Sequence, residues 1–497
     1  MSSKSAWRAR CVALALGLAA SAWSCADDRP PPAPRLDLGP RSADAGTSDA
    51  DPLPTDRDLG GRGDASVLPT ADLDVVLPFG GPSVEVPLAI DADLAQLDVV
   101  FSIDTTGSFG GEIDALQRDV LTIVAPRLSA RVPDVAFAVA RFEDMPIAPF
   151  GVASDRPFTL VRAITTSTSL LASAVASLDE PLGNGGDIPE SGAEALYQIA
   201  TGDGLSPYVP AYGPSRAPGE AGRGGVGFRD GSLRVVVHVT DAPTHDPSDY
   251  GSQVRGAHSL AQAIAALQAT NVAVIGVASG EAARPHLELV ANATGAAIAP
   301  GRDGTCATGL GGAVRGPVGG RCPLVFDIDS DGAGLSTALV DSVVALVDAV
   351  AYDEVWGEAV GDSLRFVRAV EARDATPPVG TPAPGRADRR PAGDGTFDTF
   401  TDVRAGTRLS VAAVLRNETV RETDYDQVFR VVLELRGDSL VLTRLTVRVV
   451  VPGVRPAPPP DAGTSDMGSS DAGEPDAGSV DASFDGASTD ASAEDAG

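Results

Sequence analysis

Apolar and polar positions follow two different periods along the chain. Predominantly apolar runs lie at 99–103, 134–141, 233–240, 272–277 and 324–328. Such runs read as strands buried on both faces. Between them, apolar residues recur at helical spacing over 112–128, 170–178, 189–200, 257–269, 284–293 and 335–351. Strands alternating with helices predict an α/β fold with a parallel, doubly wound sheet. Outside this region the period shortens. Strand-like segments at 73–78 and 83–90 precede it, and others at 362–371, 397–403, 408–415, 427–435 and 439–451 follow. Short strands between Gly, Pro and Asp turns predict an all-β sandwich. The Pro-rich stretch 376–391 reads as a loop within it.

The run 99–103 stops at Asp104-Thr105-Thr106-Gly107-Ser108, and a helical pattern begins near Glu112. A carboxylate and two hydroxyls therefore lie at the C-terminal end of a strand, where open α/β sheets bind ligands. Asp104, Thr106 and Ser108 are spaced to converge on one point. Hard oxygen ligands suit a divalent cation such as Mg²⁺; a turn that merely caps the helix is the plainer reading. Two further stretches bear on the choice. Gly185-Gly186-Asp187-Ile188-Pro189-Glu190 leads into a helical pattern, and the strand at 233–240 ends in Asp241. If the two strands are neighbours, Asp104, Glu190 and Asp241 face one crevice. Carboxylates so placed repel unless a cation or a proton joins them.

The loop at Asp104, the Asp187-Ile188-Pro189-Glu190 stretch and Thr240-Asp241-Ala242-Pro243-Thr244-His245 together resemble a von Willebrand factor A (vWA) domain of the integrin β-subunit type. Gly227-Phe228-Arg229-Asp230 and Arg141-Phe142-Glu143-Asp144-Met145-Pro146 extend the similarity. The resemblance implies a Rossmann-like vWA fold. It implies a metal-ion-dependent adhesion site, or MIDAS, of Asp104, Thr106, Ser108, Glu190 and Asp241 that holds Mg²⁺. It implies a second site, suited to Ca²⁺, from Asp144, Asp187, the Pro189 carbonyl and Glu190 again. A third site in that family takes two acids just after the last serine; here Gly111 replaces the first and Glu112 remains.

The same resemblance implies that residues 98–352 form the vWA domain, inserted into a hybrid-like, immunoglobulin-like sandwich built from 71–97 and 353–452. A separate immunoglobulin-like domain following the vWA domain is the other arrangement. The expected function is adhesion: an acidic residue of a protein partner completes the Mg²⁺ shell, coupled to movement of the last helix, 335–351. A metal-dependent hydrolase and a surface stalk stiffened by metal are the alternatives. The four histidines argue for no enzyme. His238 reads as core, His245 as a turn residue near the metal's outer shell, and His258 and His286 as solvent-facing. Phe326-Asp327-Ile328-Asp329-Ser330-Asp331-Gly332 starts like a calcium loop. Ala338 stands where its bidentate Glu would be, so it reads as a strand turning into a helix.

The formal net charge is -30, which argues against nucleic-acid binding. Much of that charge lies in 26–70 and 453–497, which are rich in Asp, Pro, Gly, Ser and Ala and repeat the hexamer DAGTSD. Such stretches bury too little apolar surface to fold and read as a disordered linker and tail. Arg62-Gly63-Asp64 within the linker reads as chance. Residues 1–25 have a basic start and a short apolar run ending in Ala22-Trp23-Ser24-Cys25. This resembles a bacterial lipoprotein signal, with Ala22 in place of the usual Leu and Cys25 as the lipidated residue. The expectation is export to the outer membrane or cell surface on a lipid anchor, with secretion or a periplasmic location as alternatives. Cys306 and Cys322 then remain to form a disulfide in an oxidising compartment.

Overall fold

A computed structural model of the chain describes residues 72–179, 181–211, 213 and 222–454. The signal with Cys25, Arg62-Gly63-Asp64, the linker and nearly all of the tail lie outside the described residues. The described chain opens with β1 (Leu73–Val76) and β2 (Val84–Asp91). An α/β region follows: β3 (Gln96–Asp104), α1 (Gly110–Asp119), α2 (Ala125–Arg131), β4 (Asp134–Phe142), β5 (Thr159–Thr165), α3 (Thr168–Val175), α4 (Gly192–Thr201), β6 (Leu233–Thr240), α5 (Pro247–Tyr250), α6 (Leu260–Ala269), β7 (Val272–Ala278), α7 (Arg284–Ala293), β8 (Ala297–Ile298), β9 (Cys322–Pro323), β10 (Val325–Asp327) and α8 (Leu335–Asp348). The chain returns to strands with β11 (Ala351–Val360), β12 (Val367–Thr376), β13 (Gly385–Ala387), β14 (Thr399–Arg404), β15 (Arg408–Leu415), β16 (Gln427–Gly437) and β17 (Leu440–Val451).

The α/β sheet runs β10-β7-β6-β3-β4-β5, parallel except for the edge strand β5. Every residue of β3, β6 and β7 is buried, in keeping with their predominantly apolar sequences. Alternate side chains of β3 feed two cores. Val99, Phe101 and Ile103 pack with Ile113, Leu128, Leu171 and Leu339 of α1, α2, α3 and α8. Val100 packs with Leu196 and Leu267 of α4 and α6. Helices thus cover both faces of this sheet.

Two further sheets take strands from both ends of the chain. One runs β1-β17-β16-β11-β14-β13 and the other β12-β15-β2. β2 pairs antiparallel with β15, Leu88 opposite Val411, while β1 lies parallel to β17. Their buried side chains, Tyr352, Val355, Phe400, Leu409 and Leu433 among them, continue the core that lies under α1 and α8.

Several sequence expectations need correction. The helix expected over 112–128 is interrupted by a π-helical stretch, Val120–Val124. Pro126 follows it and has no N–H to donate, which loosens the preceding turn. The last helix stops at Asp348, and Ala351 begins β11, a strand that was not foreseen. Its buried Tyr352 and Val355 stand three apart, a spacing that reads as helix. β5 was missed because, at the sheet edge, nearly all its residues are only half-buried. β13 lies in the Pro-rich stretch read as loop. The aspartate opening the calcium-like loop, Asp327, is taken by Arg284 and Arg315. Cys306 and Cys322 are joined in a disulfide, Cα atoms 5.5 Å apart.

The start of β3 is pinned by an ion pair. Fully buried Asp98 accepts from Arg229 Nε at 2.6 Å, from the Arg229 backbone N–H at 2.7 Å and from Ser232 Oγ at 2.8 Å. Arg229 also reaches Asp134 at 2.6 Å and the Leu97 carbonyl at 3.0 Å. Removing one partner of a buried pair strands the other charge. Asp98→Ala is expected to cost about 3–5 kcal/mol in urea unfolding. Asp134, whose side chain is 42% exposed, should cost no more than about 1 kcal/mol when replaced by Ala. Equal losses would show that burial does not set the difference.

Candidate metal centre

β3 and β6 are neighbours in register, Ile103 beside Val239, so they end together. The next residues are Asp104 and Thr240. Thr240 Oγ1 donates to Asp104 Oδ2 at 2.8 Å. Thr106 donates to Asp104 Oδ1 twice, from its N–H at 3.0 Å and its hydroxyl at 2.7 Å. Buried Phe109 anchors the one-turn 3-10 helix that follows, and Ser108 stays exposed above it. Burial pushes the Asp104 carboxyl up to about 7, and neighbouring Asp241 adds to the shift against the Thr106 and Thr240 hydrogen bonds.

Glu190 was expected to open a helix, but α4 begins only at Gly192. The Glu190 N–H donates to the Pro243 carbonyl at 2.9 Å, and its carbonyl accepts from the His245 N–H at 3.0 Å. The backbone is therefore committed to a bridge with the segment after β6. That bridge brings Glu190 to the ends of β3 and β6. Its Oε2 is buried and has no hydrogen-bond partner among the described residues. Burial first, then the charges of Asp104, Asp144, Asp241 and Asp155, push its carboxyl up to about 10. Gly185 lies over both groups: a Cβ there would sit 3.0 Å from Glu190 Oε1 and 3.7 Å from Thr106 Cγ2. Its φ of +59° is a second reason for glycine. Buried Asp155 holds this loop, accepting from the N–H groups of Asn184 at 3.0 Å and Gly185 at 3.2 Å.

Asp144 and Asp187 meet His245. Asp144 Oδ2 lies 3.1 Å and Asp187 Oδ1 3.3 Å from His245 Nε2. Burial opposes a charged ring, but Asp144, Asp187 and Asp249 prevail and hold His245 at about 9. Pro189 is half-buried between Glu190 and Ile188, a residue that is 73% exposed. Glu112 accepts from the Ser279 hydroxyl, and burial raises its carboxyl, with Asp241 and Asp331 adding to it. A Cβ on Gly111 would meet the Asp331 Cα at 3.0 Å, so close packing, rather than an acid, occupies that position.

The remaining histidines are partnered. His238 is core: burial depresses it to about 3, and Nδ1 lies 3.0 Å from Ser102 Oγ. His258 and His286 do not face open solvent as expected. His258 stacks on Tyr197 at 3.5 Å with Nδ1 3.0 Å from Glu194, and His286 Nδ1 accepts from the Thr244 N–H at 2.9 Å. Thr240, Asp155 and the full part of His245 escaped sequence reasoning. Only the nearness of Thr240 and His245 to Asp241 could have signalled them.

The charges of Asp104, Glu190 and Asp241 act on one another, with the Thr106 hydroxyl on Asp104 and Ser108 exposed above; among the described residues, the acids and histidine whose ligand atoms meet within 4.8 Å are instead Asp144, Asp187 and His245. An orphaned buried carboxylate oxygen among other carboxylates fits a divalent cation with oxygen ligands.

No protein-family profile matches the sequence, and no curated protein does. Among solved structures, a von Willebrand factor type A protein from Catenulispora acidiphila is 15% identical, with a TM-score of 0.31 over 76% of this chain and 71% of that one. The pilus adhesin SpaC from Lactobacillus rhamnosus GG, in its open conformation, is 10% identical with a TM-score of 0.30, over 76% of this chain and 46% of the adhesin. Proximal thread matrix protein 1 from the mussel byssus is 14% identical with a TM-score of 0.28, over 53% and 48%. These likenesses are slight, and the function put forward below rests on the chain's own residues.

Asp104, Glu190 and His245 all bind protons more tightly folded than unfolded, so the stability they confer is lost as pH rises. His238 has the opposite sign, confined between about 3 and its ordinary 6.5. In EDTA the thermal midpoint should therefore fall steadily from pH ~6.5 to ~9. A midpoint that stays level or climbs across that range would count against a carboxylate cluster lacking a counter-charge.

Proposed function

We propose that this chain is a vWA-type binding module of the integrin β-subunit kind, acting in adhesion rather than catalysis. Asp104, Thr106, Ser108, Glu190 and Asp241 would hold Mg²⁺, which supplies a Lewis-acidic position for an incoming carboxylate. The carrying observation is Glu190 Oε2, buried without a hydrogen-bond partner among the described residues and under the charges of Asp104 and Asp241. The integrin β resemblance would put Ca²⁺ on Asp144, Asp187, the Pro189 carbonyl and Glu190; the imidazole of His245 beside these two aspartates favours a different ion there. The partner is a protein offering an exposed Asp or Glu, not a nucleic acid.

The chain's own residues do the positioning. Thr240 and Thr106 orient the Asp104 carboxylate, and the Gly185 loop leaves room above Glu190. Exposed Ile188 offers an apolar contact for whatever flanks the ligand's acid. In this reading α8 moves when ligand binds. The flanking strands form a hybrid-like, immunoglobulin-like sandwich around the inserted α/β region; the pairing of β2 with β15 supports insertion. A lipid on Cys25 would anchor the chain at the outer membrane or cell surface. Among the described residues, no helix is long and apolar enough to cross a membrane.

Selection of phage-displayed random peptides on the immobilised full chain in Mg²⁺ tests this. Recovered peptides should share an Asp or Glu and elute with EDTA. Asp104→Ala should weaken their capture by at least about tenfold. Peptides that hold equally well in EDTA would end the reading.

A further inference from the structure

Beside the proposed Mg²⁺ position, two carboxylate oxygens and one imidazole nitrogen converge. Asp144, Asp187 and His245 each offer a ligand atom within 4.8 Å of the others. The arrangement is built rather than incidental. Asp144 is fully buried, and its three donors all address Oδ1: the Met145 N–H at 2.6 Å, Ser191 Oγ at 2.7 Å and Tyr250 Oη at 3.2 Å. Oδ2 accepts no hydrogen bond among the described residues; it pairs in charge with His245 Nε2 at 3.1 Å, whose N–H is directed at Asp187 Oδ1.

The ring is fixed as well. Phe150 packs edge-on against His245 at 5.3 Å, and Tyr250 lies 4.8 Å away. His245 Nδ1 points at Asp249 Oδ2, 3.4 Å distant. Asp249 is itself held, accepting the Asp246 N–H at 2.8 Å in the capping box of α5. A carboxylate on Nδ1 orients the ring and makes Nε2 more basic, as in metal-ligating histidines. Nε2 donates to Asp187 Oδ1 at 3.3 Å with Asp144 Oδ2 beside it, and a divalent cation would displace that one proton and take all three atoms. Asp187, 38% exposed, leaves one side open for water to complete a coordination shell.

We propose that Asp144 Oδ2, Asp187 Oδ1 and His245 Nε2 bind a first-row divalent transition ion such as Zn²⁺ or Mn²⁺. Calcium takes six to eight oxygens, whereas an imidazole with carboxylates suits Zn²⁺ and its neighbours. This replaces the all-oxygen site suggested for the same two aspartates. It stands whether or not Asp104 binds Mg²⁺.

The test is calorimetric titration of the EDTA-stripped full chain with Zn²⁺ and with Ca²⁺, each in excess Mg²⁺. Pulsed EPR of the Mn²⁺-loaded chain accompanies it. One Zn²⁺ should bind at least about tenfold more tightly than Ca²⁺, and Mn²⁺ should show coupling to a single histidine nitrogen. His245→Gln should abolish that coupling, and it and Asp187→Ala should each weaken Zn²⁺ at least about tenfold. Asp187→Ala alters a partly exposed side chain, so it reports on the site even if His245→Gln misfolds. Asp104→Ala should lose peptide capture yet keep Zn²⁺, which separates the two sites. Folded wild type that takes up no stoichiometric Zn²⁺, Zn²⁺ binding unchanged in both variants, or bound Mn²⁺ without nitrogen coupling would each overturn the proposal.

Discussion

Packing several carboxylates into one buried place sets the terms for this molecule. Asp104 is fully buried, Glu190 nearly so, and the charge of partly buried Asp241 acts on both. Ionised together without a counter-charge, they would push the strand ends apart. Each can hold a proton, or all can share a cation. Everything around them narrows that choice. Thr106 and Thr240 occupy Asp104 from both sides, the bridge between Glu190 and Thr244 fixes the third acid, and Asp155 secures the loop above. The charges that act on Asp104 and Glu190 are those of other carboxylates, with the His245 ring paired to Asp144 at 3.1 Å.

Such crowding is tolerable only on a stiff support. β3 runs from the Asp98–Arg229 pair at its start to Asp104 at its end, buried along its whole length. The arginine meets its acids at the opposite end from the carboxylate cluster, so the two electrostatic arrangements share a strand without cancelling. Apolar packing on both faces then holds β3 between its neighbours.

Much of this was readable from residue order. β6, α7 and β15 begin and end where their apolar patterns do, because both faces or one clean stripe of each are buried. The loop after β3 was legible because an apolar run that stops at Asp-x-Thr-x-Ser leaves its oxygens at a strand end. Glu190 was misplaced on a helix. Its extended backbone is imposed by Pro243 and His245, more than fifty positions away, and local pattern carries no trace of that pairing. His245 was read as a turn residue for a similar reason. Its role depends on Asp144 and Asp187, distant in sequence, and on the aromatic walls of Phe150 and Tyr250. β11 was lost to tertiary override, its buried positions mimicking a helical stripe.

The parallel pairing of β1 with β17 carries a mechanical meaning. Leu73 lies opposite Val447 and Val76 opposite Val450, so the described chain enters this pair at one end and leaves it at the other. Tension between the two termini would slide one strand along its neighbour instead of peeling it away. The bonds linking the strands would then share the load and yield together, a sturdier response than opening one after another like a zip.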